Sequence, residues 1–133
     1  MSELRLFVRY AETDAMRVAH HSAYVVWMEA ARVQWLKDRG LSYKQLEAEG
    51  INLAVSNLNI DYRSSASFDD EIVIETVLSE LKNRRVRFDY EICRADNGVV
   101  LARGSSVHTP TNAQGRAIRL PSDWLEKLQA TES

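Results

Sequence analysis

One stretch of this chain reads as a helix that has to be enclosed. The spacing predicts it over roughly residues 23 to 39, with Ser22 as N-cap and Gly40 at its end. Tyr24, Met28, Ala31 and Trp35 recur at helical intervals on one face. Val25, Val26, Trp27 and Leu36 widen that face well beyond a narrow stripe, so the helix needs cover on more than one side. The cover has to come from strands, because little else in the chain is helical.

Strand patterns fill the remainder. Leu4, Leu6, Val8 and Tyr10 alternate with Arg5, Phe7 and Arg9, which predicts a strand over residues 4 to 10. Ser42-Tyr43-Lys44-Gln45 has the form of a capping box and predicts a short helix to about Glu49, closed by Gly50. Ile51, Leu53 and Val55 take odd positions, whereas Leu58, Ile60 and Tyr62 take even ones. That change of phase near Ser56 and Asn57 predicts a bulge in one long strand. Ile72, Ile74, Thr76 and Leu78 alternate next. Val86, Phe88, Tyr90 and Ile92 then alternate against Arg85, Arg87, Asp89 and Glu91. Asp96-Asn97-Gly98 predicts a hairpin turn into a last strand over Val99 to Thr109, and Pro121-Ser122 opens a short final helix. One enclosed helix on a mainly antiparallel sheet is an α+β arrangement.

At 133 residues the chain is expected to form a single domain, 1–133. Its 45% hydrophobic and 27% charged residues read as soluble and globular, and a net charge of −2 gives no general attraction to nucleic acid or an anionic membrane. Apolar stretches are short and broken by charge, so no membrane span is expected. Met1-Ser2-Glu3-Leu4-Arg5 lacks the order of a signal peptide. Cys93 is the only cysteine, which excludes an intramolecular disulfide and fits a reducing, cytoplasmic setting. It falls in a strand pattern, as a structural thiol does.

Chemistry concentrates before the long helix. Asp14 lies on the loop joining the first strand to that helix, seven residues ahead of His21. A carboxylate there can attack a carbonyl or activate water. A helix N-terminus offers unpaired N–H groups to the oxyanion that forms. The plain alternative is an Asp that shapes its own turn. His20, His21 and Asp14 also raise a metal site. Adjacent histidines rarely converge on one ion, and His108 is far along the chain, so no metal is expected. Glu29 and Arg32 sit one helical turn apart and are expected to pair, with Glu29 as a second candidate acid. Lys82-Asn83-Arg84-Arg85 forms a basic turn suited to phosphate, with Arg116 and Arg119 as possible additions. No aromatic residues interleave it, which argues against nucleic acid.

Thr13-Asp14-Ala15, followed by His21, Tyr24, Glu29 and Arg32 at these spacings, resembles the 4-hydroxybenzoyl-CoA thioesterase family of hotdog-fold enzymes. The match runs on through Tyr62, Asp70 and the later strands. The resemblance implies a long central helix wrapped by a five-stranded sheet. It further implies homodimers or homotetramers, with continuous sheets and sites between subunits. The implied reaction is hydrolysis of an acyl-CoA to a free acid and CoA, with no cofactor. Asp14 takes the place of the nucleophile or general base, and the His21 backbone N–H that of the oxyanion donor. Tyr24 becomes a substrate-binding position, and Lys82, Arg84 and Arg85 lie where the family meets the CoA nucleotide. The rival readings are a non-catalytic acyl-CoA-binding module and an acyl-thioester hydratase or dehydratase. The chain departs from the family at Met16 and Arg17, where members often carry one or two glycines, and at His20, where they often carry Tyr or Trp.

Overall fold

The computed structural model describes residues 1–130. The elements are β1 (Ser2–Phe7), a single 3-10 turn (Tyr10–Glu12), α1 (His21–Lys37), α2 (Tyr43–Ala48), β2 (Asn52–Tyr62), β3 (Glu71–Lys82), β4 (Arg85–Arg94), β5 (Val100–Thr111) and α3 (Ser122–Ala130). The five strands form one sheet in the order β1-β3-β4-β5-β2, and every pairing is antiparallel. This is the expected α+β hotdog arrangement, with α1 held against the curved sheet.

The α1 side chains Tyr24, Trp27, Met28, Ala31, Trp35 and Leu36 are each no more than 2% exposed. They share a core with Ile72 and Ile74 of β3, Phe88 and Ile92 of β4, and Leu101 and Ala102 of β5. Trp35 meets Phe88 edge-on, with ring centres 5.3 Å apart. Truncating a tryptophan here would cost about 3–5 kcal/mol. Gly104 lets the layers close up: a Cβ there would lie 2.6 Å from the Asn59 carbonyl oxygen and 3.2 Å from Met28 Cε.

Local signals fare well where they concern one element. Ser42 accepts the Gln45 N–H at 3.1 Å while Gln45 Oε1 accepts the Ser42 N–H at 2.9 Å, completing the capping box. The β2 register shifts between Val55 and Asn57, where the phase change predicts a bulge. Three expectations need correction. The long helix starts at His21 with His20 as the cap residue, so Ser22 lies inside the first turn. The first strand ends at Phe7, and Tyr10 is 65% exposed in the 3-10 turn. Enclosure of α1 is incomplete within one chain, because Val25 and Val26 stay exposed.

The pairing registers sort the sheet into two ends. Phe7, Tyr62, Glu71 and Arg94 lie at one end; Asn52, Lys82, Arg85 and Thr111 lie at the other. β2 is an edge strand of 11 residues with an almost wholly exposed surface, including Val55 and Leu58.

Candidate active site

The loop carrying Asp14 is built by backbone hydrogen bonds. Thr13 and Ala19 form an antiparallel bridge. Within the loop, the Asp14 N–H donates to Val18 O at 2.9 Å and the Arg17 N–H to Asp14 O at 2.9 Å. Asp14 Oδ1 accepts the Met16 N–H at 2.8 Å and the Val18 N–H at 3.2 Å. Its turn-shaping role is therefore real. Oδ2 makes no hydrogen bond among the described residues, and the side chain is exposed. Arg17 has φ +62°, a left-handed conformation that glycine adopts without strain.

A neighbouring segment backs the loop. The Ala19 N–H donates to Ala66 O at 2.8 Å and the Phe68 N–H to Arg17 O at 2.9 Å. Asp70 Oδ2 fixes this segment, accepting the Ser67 N–H at 2.9 Å and Arg94 Nε at 3.3 Å.

The N-terminus of α1 comes next. The His20 N–H is used by Glu12 O at 2.9 Å, whereas the His21 and Ser22 N–H groups have no acceptor among the described residues. The His21 ring stacks on Tyr62 with centres 4.1 Å apart, and the Tyr62 hydroxyl donates to His21 O at 2.9 Å. Tyr24 is buried edge-on to Tyr62 at 5.0 Å, and burial raises its hydroxyl above the ordinary tyrosine range. A cavity of about 160 Å³ opens here, lined by Val18, His21, Tyr24, Tyr62, Arg63 and Ser64. Asp14 stands on the rim loop rather than among the lining residues.

The other sequence candidates separate. Lys82 Nζ and Arg85 Nε both reach Glu80, at 3.6 and 3.1 Å, and Arg84 is exposed. Arg119 adjoins Leu120, whose N–H donates to Asn83 O. This basic turn caps the end of β3 away from Asp14. The 12 residues of β3 span roughly 36 Å at about 3.3 Å each, so within one chain the turn and Asp14 do not meet. Cys93 is half-buried on β4, and burial pushes its thiol up, away from the thiolate. Among the described residues, no group of three or more His, Cys, Asp or Glu converges as metal ligands would.

Glu29 and Arg32 form no ion pair among the described residues. Glu29 is exposed, and Arg32, 8% exposed, turns inward. Arg32 Nη1 donates to the Tyr90 hydroxyl at 3.1 Å. Tyr90 and Ser106 hydroxyls lie 2.6 Å apart, Ser106 Oγ is 2.8 Å from His108 Nε2, and His108 Nδ1 is 3.3 Å from Leu53 O. Burial, then the nearby Arg32 charge, lowers the His108 pKa to about 4, so the ring is neutral near pH 7. The Leu53 carbonyl can only accept, which puts the ring proton on Nδ1. Nε2 must then accept from Ser106, Ser106 from Tyr90, and Tyr90 from Arg32. The donors run in one direction through the core. No sequence signal links Arg32 to Tyr90, which lies 58 residues away.

A family model described as thioesterase-like superfamily matches residues 8–128. The chain belongs to that superfamily. This thioesterase-like chain is 34% identical over 101 residues to the acyl-CoA thioesterase YbgC of Haemophilus influenzae, covering 74% of this chain and 71% of that protein. Among solved structures, hypothetical protein TT1821 of Thermus thermophilus superposes with a TM-score of 0.92 at 40% identity, over 98% of this chain and 99% of that one. The DHNA-CoA thioesterase of Staphylococcus aureus superposes with a TM-score of 0.91 at 30% identity, over 97% and 89% respectively. The thioesterase-like fold and its strand-loop-helix entry are thus shared with enzymes that cleave CoA thioesters.

Proposed function

We propose that this protein is an acyl-CoA thioesterase: acyl-CoA and water give a carboxylic acid and CoA. One observation carries the reading. The Asp14 carboxylate is oriented through Oδ1 by two loop amides, leaving Oδ2 unengaged on the loop that leads to the unpartnered amides of α1. Oδ2 attacks the thioester carbonyl and the C–S bond breaks, releasing CoA thiolate and leaving an acyl-enzyme anhydride that water then cleaves, or Oδ2 removes a proton from the water that attacks the carbonyl and expels CoA thiolate. In both routes the carbonyl oxygen gains negative charge and turns to the His21 N–H. The α1 dipole adds to that donor, and one such donor contributes about 3 kcal/mol to the transition state. The His21 side chain takes no part in this step; Tyr62 holds it aside. Tyr24 forms a wall of the acyl side.

The active unit is at least a homodimer formed through β2. An exposed strand of this length invites pairing, and Val25 and Val26 of α1 lie uncovered as well. A twofold pairing of β2 edges is antiparallel, so it turns one sheet end over end relative to the other. The partner's Lys82–Arg85 turn then lies at the same end as this chain's Asp14, where Arg84 and Arg85 meet the CoA phosphates across the interface. No helix of the described residues is long and apolar enough to cross a membrane. We place the enzyme, as a single domain, in the cytoplasm.

Thiol release from a panel of aromatic, short aliphatic and long aliphatic CoA thioesters tests the activity. Light scattering tests the assembly. The reading predicts release from one of these classes by a particle of at least twice 15.2 kDa. No release from any class would overturn the activity, and an active monomer would overturn the shared site.

A further inference from the structure

We propose that Glu12 is a positioning residue that sets Asp14 against the N-terminus of α1; this rests on the thioesterase reading. Glu12 lies two residues before Asp14, and its side chain is only 9% exposed. Oε1 accepts the Arg9 N–H at 2.8 Å, and Oε2 accepts the Trp27 indole N–H at 2.9 Å. The Arg9 guanidinium approaches Oε2 at 3.5 Å. The Glu12 backbone carbonyl accepts the N–H of His20, the cap residue of α1. One residue therefore grips α1 at its cap and again two turns along, at a tryptophan 1% exposed.

Such a grip matters for carbonyl chemistry. Asp14 and the His21 amide must lie on either side of one carbon, and misplacement by about 1 Å can cost a hundredfold in rate. The loop between them is mostly exposed. Trp27 also packs on Tyr24 at 4.6 Å, and Tyr24 on Tyr62, which holds His21. The clamp thus reaches both flanks of the cavity. A carboxylate suits the place because it presents two acceptor oxygens and no donor to two separate N–H groups. Glutamine has a single acceptor oxygen and must abandon one of them.

The test uses the full-length protein and the variants Glu12→Gln, Asp14→Asn, their combination, and Trp27→Phe. Glu12→Gln should lower kcat about tenfold or more with KM within twofold, because the clamp touches no substrate. In the Asp14→Asn background it should cost less than twofold, since its effect passes through Asp14. A full further tenfold loss in that background would overturn the proposal. Backbone amide NMR gives a second readout that needs no activity. Amides of residues 13–22 should shift or broaden in Glu12→Gln and again in Trp27→Phe, while those of β4 and β5 stay fixed. Unchanged resonances over 13–22 would also overturn the proposal. If the unmodified protein cleaves no thioester, the proposed function fails, and the NMR result alone decides whether Glu12 sets this loop.

Discussion

Two regions of α1 handle polar groups in opposite ways. At its N-terminus, Asp14 is exposed and held by backbone amides, and the donors left over are themselves backbone groups. In its middle, Arg32 is buried and its contacts pass through Tyr90, Ser106 and His108, all side chains. In the first region the donors belong to the main chain and survive substitution of the residues that carry them, while the Glu12 side chain sets where they stand. The second depends on each hydroxyl and ring, because losing one strands a buried partner. The first is poised for chemistry with a ligand. The second ties α1 to β4 and β5.

The largest effect expected in the buried region is on stability against pH. The folded-state pKa of His108 lies at about 4, below its ordinary 6.5. Between those values the unfolded chain binds a proton that the native state refuses. Stability should therefore be full above pH 6.5 and fall by about 3 kcal/mol as pH drops toward 4. Urea unfolding across that range measures it, and His108→Gln should flatten the slope. An unchanged slope in the variant would show that another group carries it.

Tyr90→Phe comes next. It leaves the Arg32 and Ser106 groups facing a ring, and should cost about 1–3 kcal/mol in unfolding free energy. Its kcat at a temperature where it stays folded should match the parent. A large kcat loss there would erase the distinction between the two regions.

Replacing both Arg84 and Arg85 by Ala should raise KM several-fold with kcat nearly constant, because contacts to CoA phosphates are equal in ground and transition states. The effect should shrink at high salt and vanish with an acyl-pantetheine thioester. The same loss on both substrates would mean that the turn acts through structure. His21→Ala should do least, changing kcat by less than about threefold, since the amide survives the substitution. A hundredfold loss would move the role from backbone to imidazole.

Legibility in the sequence follows the same division. The alternation of Val86, Phe88, Tyr90 and Ile92, the β2 phase change and the Ser42 box are local patterns that answer to local geometry. Spacing alone leaves Asp14 as a turn residue, and the resemblance of its motif is what singles it out for the proposed chemistry. Glu12 was not, because its partners Arg9, His20 and Trp27 are joined by no shared period; only its place beside Thr13-Asp14 marks it. Arg32 was assigned to Glu29 by helical spacing, yet burial turned it toward Tyr90. The helix start moved from Ser22 to His20 because Glu12 and Ala66 fix the backbone there, overriding the side-chain preference. The charge of the basic turn suggests phosphate but not its place, and strand length puts it and Asp14 at opposite ends of one chain.

The most direct measurement is the rate and the unfolding free energy of Asp14→Asn, taken side by side. The substitution keeps size and an acceptor oxygen but removes the ionised carboxylate. Thioester hydrolysis should fall about 10² or more, while unfolding free energy stays within about 1 kcal/mol of the parent. Near-parental hydrolysis of the best substrate by the folded variant would contradict the account and turn attention to Glu29.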